Sequence, residues 1–310
     1  MMNTPQSGIF AEGRHAHYFL EYTLHPDTGI ASLSAALQRA NIAQHVISDE
    51  APHVVIGFGS NAWDMIATAM NQNGAGLNPG RLRPFTPITG KTAVAPATQT
   101  DLLIWIHGPD DDVNFGLAMA IGEAMNEAAD LVVDIPGFTY LDARDLTGFI
   151  DGTENPTGDD ARRVALIPGD EAVSAGSFIM TQRWVHDLHN FGNLPQAEQE
   201  KVIGRTKPDS VQLRGDAMPP TSHVSRVDYK IDGKAVEIYR RSAPYGTVSE
   251  KGLLFIAFAA ELEKFDLLLG RMFGTSDDEY YDRLVDFSKA VTGSYFFAPP
   301  MQLLEPLLAG

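Results

Sequence analysis

The sequence contains no cysteine among its 310 residues. That excludes a disulfide framework, a thiolate nucleophile and any cysteine-ligated zinc or iron–sulfur centre, and it fits a reducing compartment. Basic residues are scarce: 23 Lys and Arg stand against 40 Asp and Glu, a formal net charge of −17. A surface of that sign repels phosphate backbones and anionic lipid, so neither nucleic acid nor a membrane is an expected partner. Long apolar runs are missing too. The longest, such as "GLLFIAFAA" at 252–260, falls short of the roughly 20 residues that a spanning helix needs. The N-terminus, "MMNTPQSGIFAEGRHAHYFL", has no basic stretch followed by an apolar one and no twin arginine. No signal peptide is expected, and the default location is the cytoplasm. Walker, G-x-S-x-G and H-E-x-x-H signatures are absent. "VVIGFGSNA" offers Gly57 and Gly59, but Ala62 stands where a dinucleotide loop needs its third glycine. A strand end that needs glycines explains that segment better.

What is present is ordinary globular composition, 44% hydrophobic and 20% charged, in a length that suits one large domain or two of medium size. Residues 16–24 and 101–108 read as strands, as does the β-branched run 52–60, with a helix from about Ala62. Helices are expected at 29–40 and 110–129, the latter with acids in its first turn, and a further strand at 131–138. The second half repeats the rhythm: strands at 175–188, 234–246 and 252–260, and helices at 194–206, 261–273 and 277–291. "HYFLEYTL" aligns in position with "SFIMTQRWV", and "DLLIWIHG" with "GLLFIAFAA". Each half therefore offers two strand–helix–strand series, the pattern of an α+β fold built from two ferredoxin-like (βαββαβ-type) halves. The join falls near 140–150, giving units 1–145 and 146–310, and clefts between halves are common ligand sites.

Several segments carry candidate chemistry. "HDLH" spaces His186 and His189 three apart, as two metal ligands on one helix face would be, but no third ligand is near and a solvated pair is the simpler reading. Trp63, Trp105 and Trp184 each sit in apolar runs, where core packing is the usual role and electron relay the alternative. In "AMPPTSHVSRVDY", Pro219-Pro220 bar a helix before them and Thr221-Ser222 can cap the segment after them, so His223 emerges from a rigid lead-in. It reads either as a structural histidine or as a ligand. In "EIYRRSAPYG", Arg240 and Arg241 take opposite faces of a strand, so one guanidinium faces inward and needs an anion; Ser242 shares the face of Arg240. "LTGFIDGTENP" (146–156) places Asp151 directly after Phe149-Ile150, inside a run of turn-formers. Such a turn is usually a surface connector, yet the apolar lead-in aims Asp151 at an interior.

"GFIDGTENP", "TSHVSR" and "YRRSAPYG", in that order, closely resemble the dye-decolourising peroxidases, and most of all their compact bacterial, cytoplasmic type. The resemblance covers essentially the whole chain. It implies antiparallel sheets with helices packed outside and haem b (iron protoporphyrin IX) in the C-terminal half. By the same resemblance His223 is the axial iron ligand, Asp151 and Arg240 are the distal catalytic acid and arginine, and Ser242 is a polar neighbour. Gly152 and Thr153 lie in the haem-contacting turn, Arg205 faces a propionate, and Leu253 and Phe255 wall the distal side. Asp286, in "DFSKAVTG", is implied as the acid behind His223. The implied reaction is reduction of hydrogen peroxide through a ferryl species, followed by oxidation of aromatic one-electron donors such as phenols and dyes. The alternatives are a haem- or iron-handling, deferrochelatase-like protein and a non-catalytic haem-binding module. A homo-oligomer is implied as well. The C-terminal "LLEPLLAG" shows no evident targeting tail, which argues against a cargo role in an encapsulin shell.

Overall fold

The computed structural model describes residues 3–12, 15–48, 50–70 and 76–309. Met1, Met2, Gly13, Arg14 and Gly310, which entered the reading of the two termini, lie outside the described residues. The first half runs β1 (Ala16–Leu24), α1 (Ile30–Arg39), β2 (His53–Phe58), α2 (Ser60–Met70), β3 (Leu102–Gly108), α3 (Asp111–Met125) and β4 (Ala129–Phe138). The second runs α4 (Gly158–Ala165), β5 (Ser177–His186), α5 (Gln196–Ile203), α6 (His223–Val227), β6 (Tyr239–Arg240), β7 (Ala243–Gly246), β8 (Lys251–Ala259), α7 (Glu263–Met272), β9 (Ser288–Ala290), β10 (Ser294–Ala298) and α8 (Met301–Ala309).

In the first half the strand order is β4-β1-β3-β2, all antiparallel. The second half repeats it as β10-β5-β8-β7. Both are the ferredoxin-like order expected from the repeated rhythm. The halves are stitched edge to edge, Phe297 opposite Phe58 and Tyr245 opposite Gly137. The eight strands thereby close into a ring, which leaves no open edge along the joined strands. Phe19, Leu103, Trp105, Ile179, Ile256 and Phe296 fill its interior, all without solvent exposure. Each such side chain contributes about 1.5–3 kcal/mol on burial. Helices cover the outer faces.

Three expectations differ from the structure. The strand at 234–246 is broken into a hairpin end at 234–235, then β6, then β7. Arg241 donates its amide to Ile256 O, while Pro244, which has no amide to donate, sits within β7. The helix at 277–291 does not form. Asp278 and Asp282 are used as acceptors for Arg226 and Leu284, and Ser288–Ala290 is drawn into the sheet beside β5. Strand β10 and helices α4 and α8, which the sequence reading passed over, complete the second half and its covering.

Candidate active site

Side chains alternate across a strand, and on β8 the alternation is clean. Leu254 and Ile256 point into the ring and are buried, whereas Leu253 and Phe255 point outward and are half-buried. On β5 the outward set is Met180, Gln182, Trp184 and His186, with Gln182 opposite Phe255 and Trp184 opposite Leu253. Helices α6 and α7 and the turn at 145–156 stand off this face. They enclose a cavity of about 410 Å³. Asp151, Gly152, Thr153, Arg205, His223, Arg240, Ser242, Leu253 and Phe255 all line it. Asp286 does not appear in its wall.

His223 opens α6. Ser222 caps the helix, its hydroxyl accepting from the Ser225 amide. Arg226, nearly fully buried, makes a two-pronged pair with Asp278 and donates from Nε to Arg271 O, while Arg271 Nε donates to Arg226 O, pinning α6 to α7. The pair holds Asp278 far below the usual carboxylate range, through the Arg226 hydrogen bond first. Gly204, at φ +97°, ends α5, and a Cβ there would stand 2.9 Å from Val224, so α5 and α6 meet closely only with glycine. The acid behind His223 is Asp282, not Asp286. His223 Nδ1 and Asp282 Oδ2 are 2.6 Å apart, and Asp282 is fully buried and accepts a second bond from the Leu284 amide. Asp286 lies one turn of chain further on and accepts instead from the Tyr281 hydroxyl at 3.3 Å. Burial, first of all, raises its pKa. With Nδ1 tied to a carboxylate, His223 leaves Nε2 as its free ring nitrogen.

The 145–156 turn is anchored at its start. Asp145 Oδ1 accepts from the Thr147 amide and hydroxyl, and Oδ2 meets His186 Nε2 at 3.0 Å. Burial would raise the Asp145 pKa, but the hydrogen bond and charge of His186, with help from Thr147, outweigh it and leave it lowered. His186 is therefore no solvated residue: it is buried, with Ser288 Oγ 2.7 Å from Nδ1, while His189 stays exposed beside Asn193. Phe149 packs edge-on against Phe191. Gly152 adopts φ +78° with no protein atom near its would-be Cβ, so its role is to turn the chain and leave Asp151 facing the cavity. Glu154 then reaches Arg205 at 2.7 Å, whose other terminal nitrogen donates to Ser210 O. Arg205 lines the cavity with its guanidinium already half engaged. Asn155 hydrogen-bonds both backbone groups of Arg240.

Of the two arginines, Arg241 is the one that turns to the ring. Among the described residues it meets no anion there. It donates to Ile9 O, Ala11 O and the Tyr239 hydroxyl and lies over the Trp105 and Tyr239 rings. Carbonyls and aromatic faces replace the anion that the sequence called for. Arg240 faces the cavity. Among the described residues neither its guanidinium nor the Asp151 carboxylate has a hydrogen-bond or ion-pair partner, and the two are not paired with each other. Ser242 Oγ and Gln182 Nε2, both buried, also lack partners. Buried polar groups are rarely left so. Two such atoms, together with the unpartnered Asp151 and Arg240 side chains that line the same cavity, fit a site that receives a large group bearing its own polar atoms. Among the described residues no cluster of three or more metal-ligating side chains exists.

Two family profiles match the sequence: Dyp-type peroxidase, N-terminal, over residues 6–139, and Dyp-type peroxidase, C-terminal, over 142–303. The chain belongs to the Dyp-type peroxidase family. A dye-decolorizing peroxidase of Mycobacterium tuberculosis is 38% identical over 96% of this chain and 89% of its own. One from Rhodococcus erythropolis is 36% identical over 81% of this chain and 73% of its own. Among solved structures, the peroxidase shares 35% identity and a TM-score of 0.88 with a variant of Rhodococcus jostii DypB in complex with heme, over 98% of both chains. With a dye-decolorizing protein from V. cholerae it shares 36% and 0.84, over 97% of this chain and 98% of that one. Asp282, Asn155 and the Asp145–His186 pair are the residues that sequence reasoning missed. The spacing in "HDLH" singles out His186, with a solvated pair as the simpler reading and metal ligation the alternative, and neither foresees its pairing with Asp145.

Proposed function

We propose that the peroxidase holds haem b in this cavity, reduces hydrogen peroxide there and draws single electrons from aromatic donors such as phenols and dyes. The observation that carries this reading is the pair of unpartnered side chains, Asp151 and Arg240, in a cavity whose other wall presents His223 with its Nδ1 fixed by Asp282. Bound haem would supply the redox centre at which peroxide is reduced and to which the donors give their electrons. The residues do the rest. His223 Nε2 would hold the iron, and the Asp282 carboxylate fixes the imidazole tautomer and makes it a stronger donor. Asp151 accepts the proton of one peroxide oxygen and hands it to the other, directly or across one water. Arg240 faces the negative charge that builds on the oxygens as their bond lengthens. Ser242 and Gln182 offer further hydrogen bonds on the same wall. Leu253 and Phe255 keep bulk water off, and Arg205, pre-set by Glu154, would receive a propionate.

A storage module or a haem-dismantling protein has no use for an unpartnered acid and an unpartnered arginine in one cavity, so turnover of peroxide is the better reading. Donors too large for the cavity give their electrons at the surface, through a tyrosine or tryptophan. The units 1–145 and 146–310, a cytoplasmic location and a homo-oligomeric state outside any encapsulin shell complete the proposal. Among the described residues no helix is long and apolar enough to cross a membrane. The deciding experiment is the absorption spectrum of protein expressed with ample haem, then mixed with one equivalent of peroxide. A Soret band that shifts within the mixing time is expected. Colourless protein, or release of intact porphyrin without peroxide, overturns the reading.

A further inference from the structure

We infer that Asn155 is a positioning residue that locks the strand of Arg240 to the turn of Asp151, so that the acid and the cation meet peroxide as one rigid pair. This deepens the function proposed above and rests on it. Strand β6 is a sheet edge: among the described residues its only strand neighbour is β8, with Arg240 opposite Ala257. The amide of Arg241 points inward to Ile256 O. By the alternation of backbone groups along a strand, the N–H and C=O of Arg240 then point away from β8, to a side where the described residues place no further strand. Asn155 fills that place. Its Oδ1 accepts from the Arg240 amide and its Nδ2 donates to the Arg240 carbonyl, both at 2.9 Å. One side-chain amide thus offers the donor and the acceptor that a neighbouring strand would offer.

The other end of this tie is just as fixed. The Asn155 amide donates to Gly152 O at 2.9 Å, closing a turn directly after Asp151, and the Asp151 amide donates to Ala143 O at 3.0 Å. Asp151 and Arg240 are 89 residues apart in sequence, yet only this turn and one pair of hydrogen bonds separate their backbones. Water could satisfy the two groups of an edge strand at little cost in stability. What water cannot do is hold them in register with Asp151, and proton transfer in step with charge stabilisation tolerates little misplacement. No other side chain does the same: aspartate lacks the donor, glutamine is a methylene too long, and serine cannot face both groups.

The test uses full-length, haem-loaded ferric protein and cyanide, which enters as a protonated acid and, like peroxide, must shed its proton in the cavity, without turnover. Asn155→Ala and Asn155→Asp are made alone and in an Arg240→Leu background. Cyanide association is followed by stopped flow across pH, and haem affinity by spectral titration. Asn155→Ala is expected to slow association by about tenfold, with haem affinity changed by less than about twofold. In the Arg240→Leu background the same substitution should change the rate by less than about twofold, because positioning of an absent cation has nothing left to contribute. Asn155→Asp, of equal size but without the donor, should follow Asn155→Ala in direction. Equal factors in both backgrounds, or a haem affinity that falls in step with the rate, overturn the inference. An Arg240→Leu protein that binds cyanide and reacts with peroxide as the parent does overturns the role given to Arg240 itself, and that single variant tells the two failures apart.

Discussion

On the outer face of the N-terminal sheet, Leu20, Tyr22, Ile56 and Ile104 meet Leu33, Leu37, Trp63 and Ile121 from the helices without a gap. On the same face of the C-terminal sheet, Leu253, Phe255 and Gln182 meet a cavity of about 410 Å³. The sheets have the same strand order, so the difference lies in what covers them. In the first half β2 leads into α2 after a single residue, and α1, α2 and α3 lie flat on the strands. In the second half the chain between β5 and β6 runs through residues 187–238 and carries α5 and α6 past the sheet at a distance. The long crossover holds a histidine away from the strands and leaves room for a flat ligand between them. One half of the duplicated unit spends its outer face on stability and the other spends it on a site.

That contrast can be broken or sharpened by substitution. His223→Ala should have the largest effect, loss of the normal haem spectrum; a parental Soret band at full haem occupancy would show that the stand-off histidine is not the ligand. Trp63 is fully buried, donates to Leu77 O and packs on Phe297. Trp63→Ala should cost about 3–5 kcal/mol in urea unfolding, whereas Phe255→Ala, at the cavity, should cost about 1 kcal/mol or less at equal haem occupancy. Similar losses at both positions would erase the distinction between a packed and a hollow face. Arg240→Ala should lower the rate of the first peroxide step by at least about tenfold with the fold intact, which stopped-flow spectra read directly. The smallest effect concerns acid. Asp145 and Asp278 both have lowered pKa values in the folded protein. Their stabilisation is therefore present above the ordinary aspartate value of about 3.9 and is lost as pH falls through the lower folded values. Urea midpoints should drop below about pH 4, and Asp145→Asn should flatten that drop; an unchanged slope would remove the Asp145–His186 pair from the account.

The fold was legible because its signals are local. β1, β3, β5 and β8 are long apolar or aromatic runs and α3 has acids at its start, so period and caps placed them within a few residues. The segment 277–291 misled because its spacing suits a helix, while Asp278 and Asp282 are claimed by Arg226 and His223 from elsewhere in the chain. Asp282 and Asp286 are four residues apart, and nothing along the chain distinguishes the one that is fully buried against an imidazole from the one that meets a tyrosine. Arg240 and Arg241 were correctly set on opposite faces, yet among the described residues carbonyls of a distant N-terminal segment, not an anion, meet the inward one.

By itself the sequence determined a duplicated α+β chain with an acid in a glycine-bounded turn, a capped histidine and a strand arginine, because strand alternation, helix caps and turn chemistry act within a few residues. Only the tertiary structure decided which carboxylate stands behind His223, that Asn155 bridges to Arg240 and that one sheet face is hollow. Those outcomes depend on groups brought together from 59 and 85 positions apart, and the distances that govern hydrogen bonds and proton transfer are set by how whole elements pack rather than by spacing along the chain.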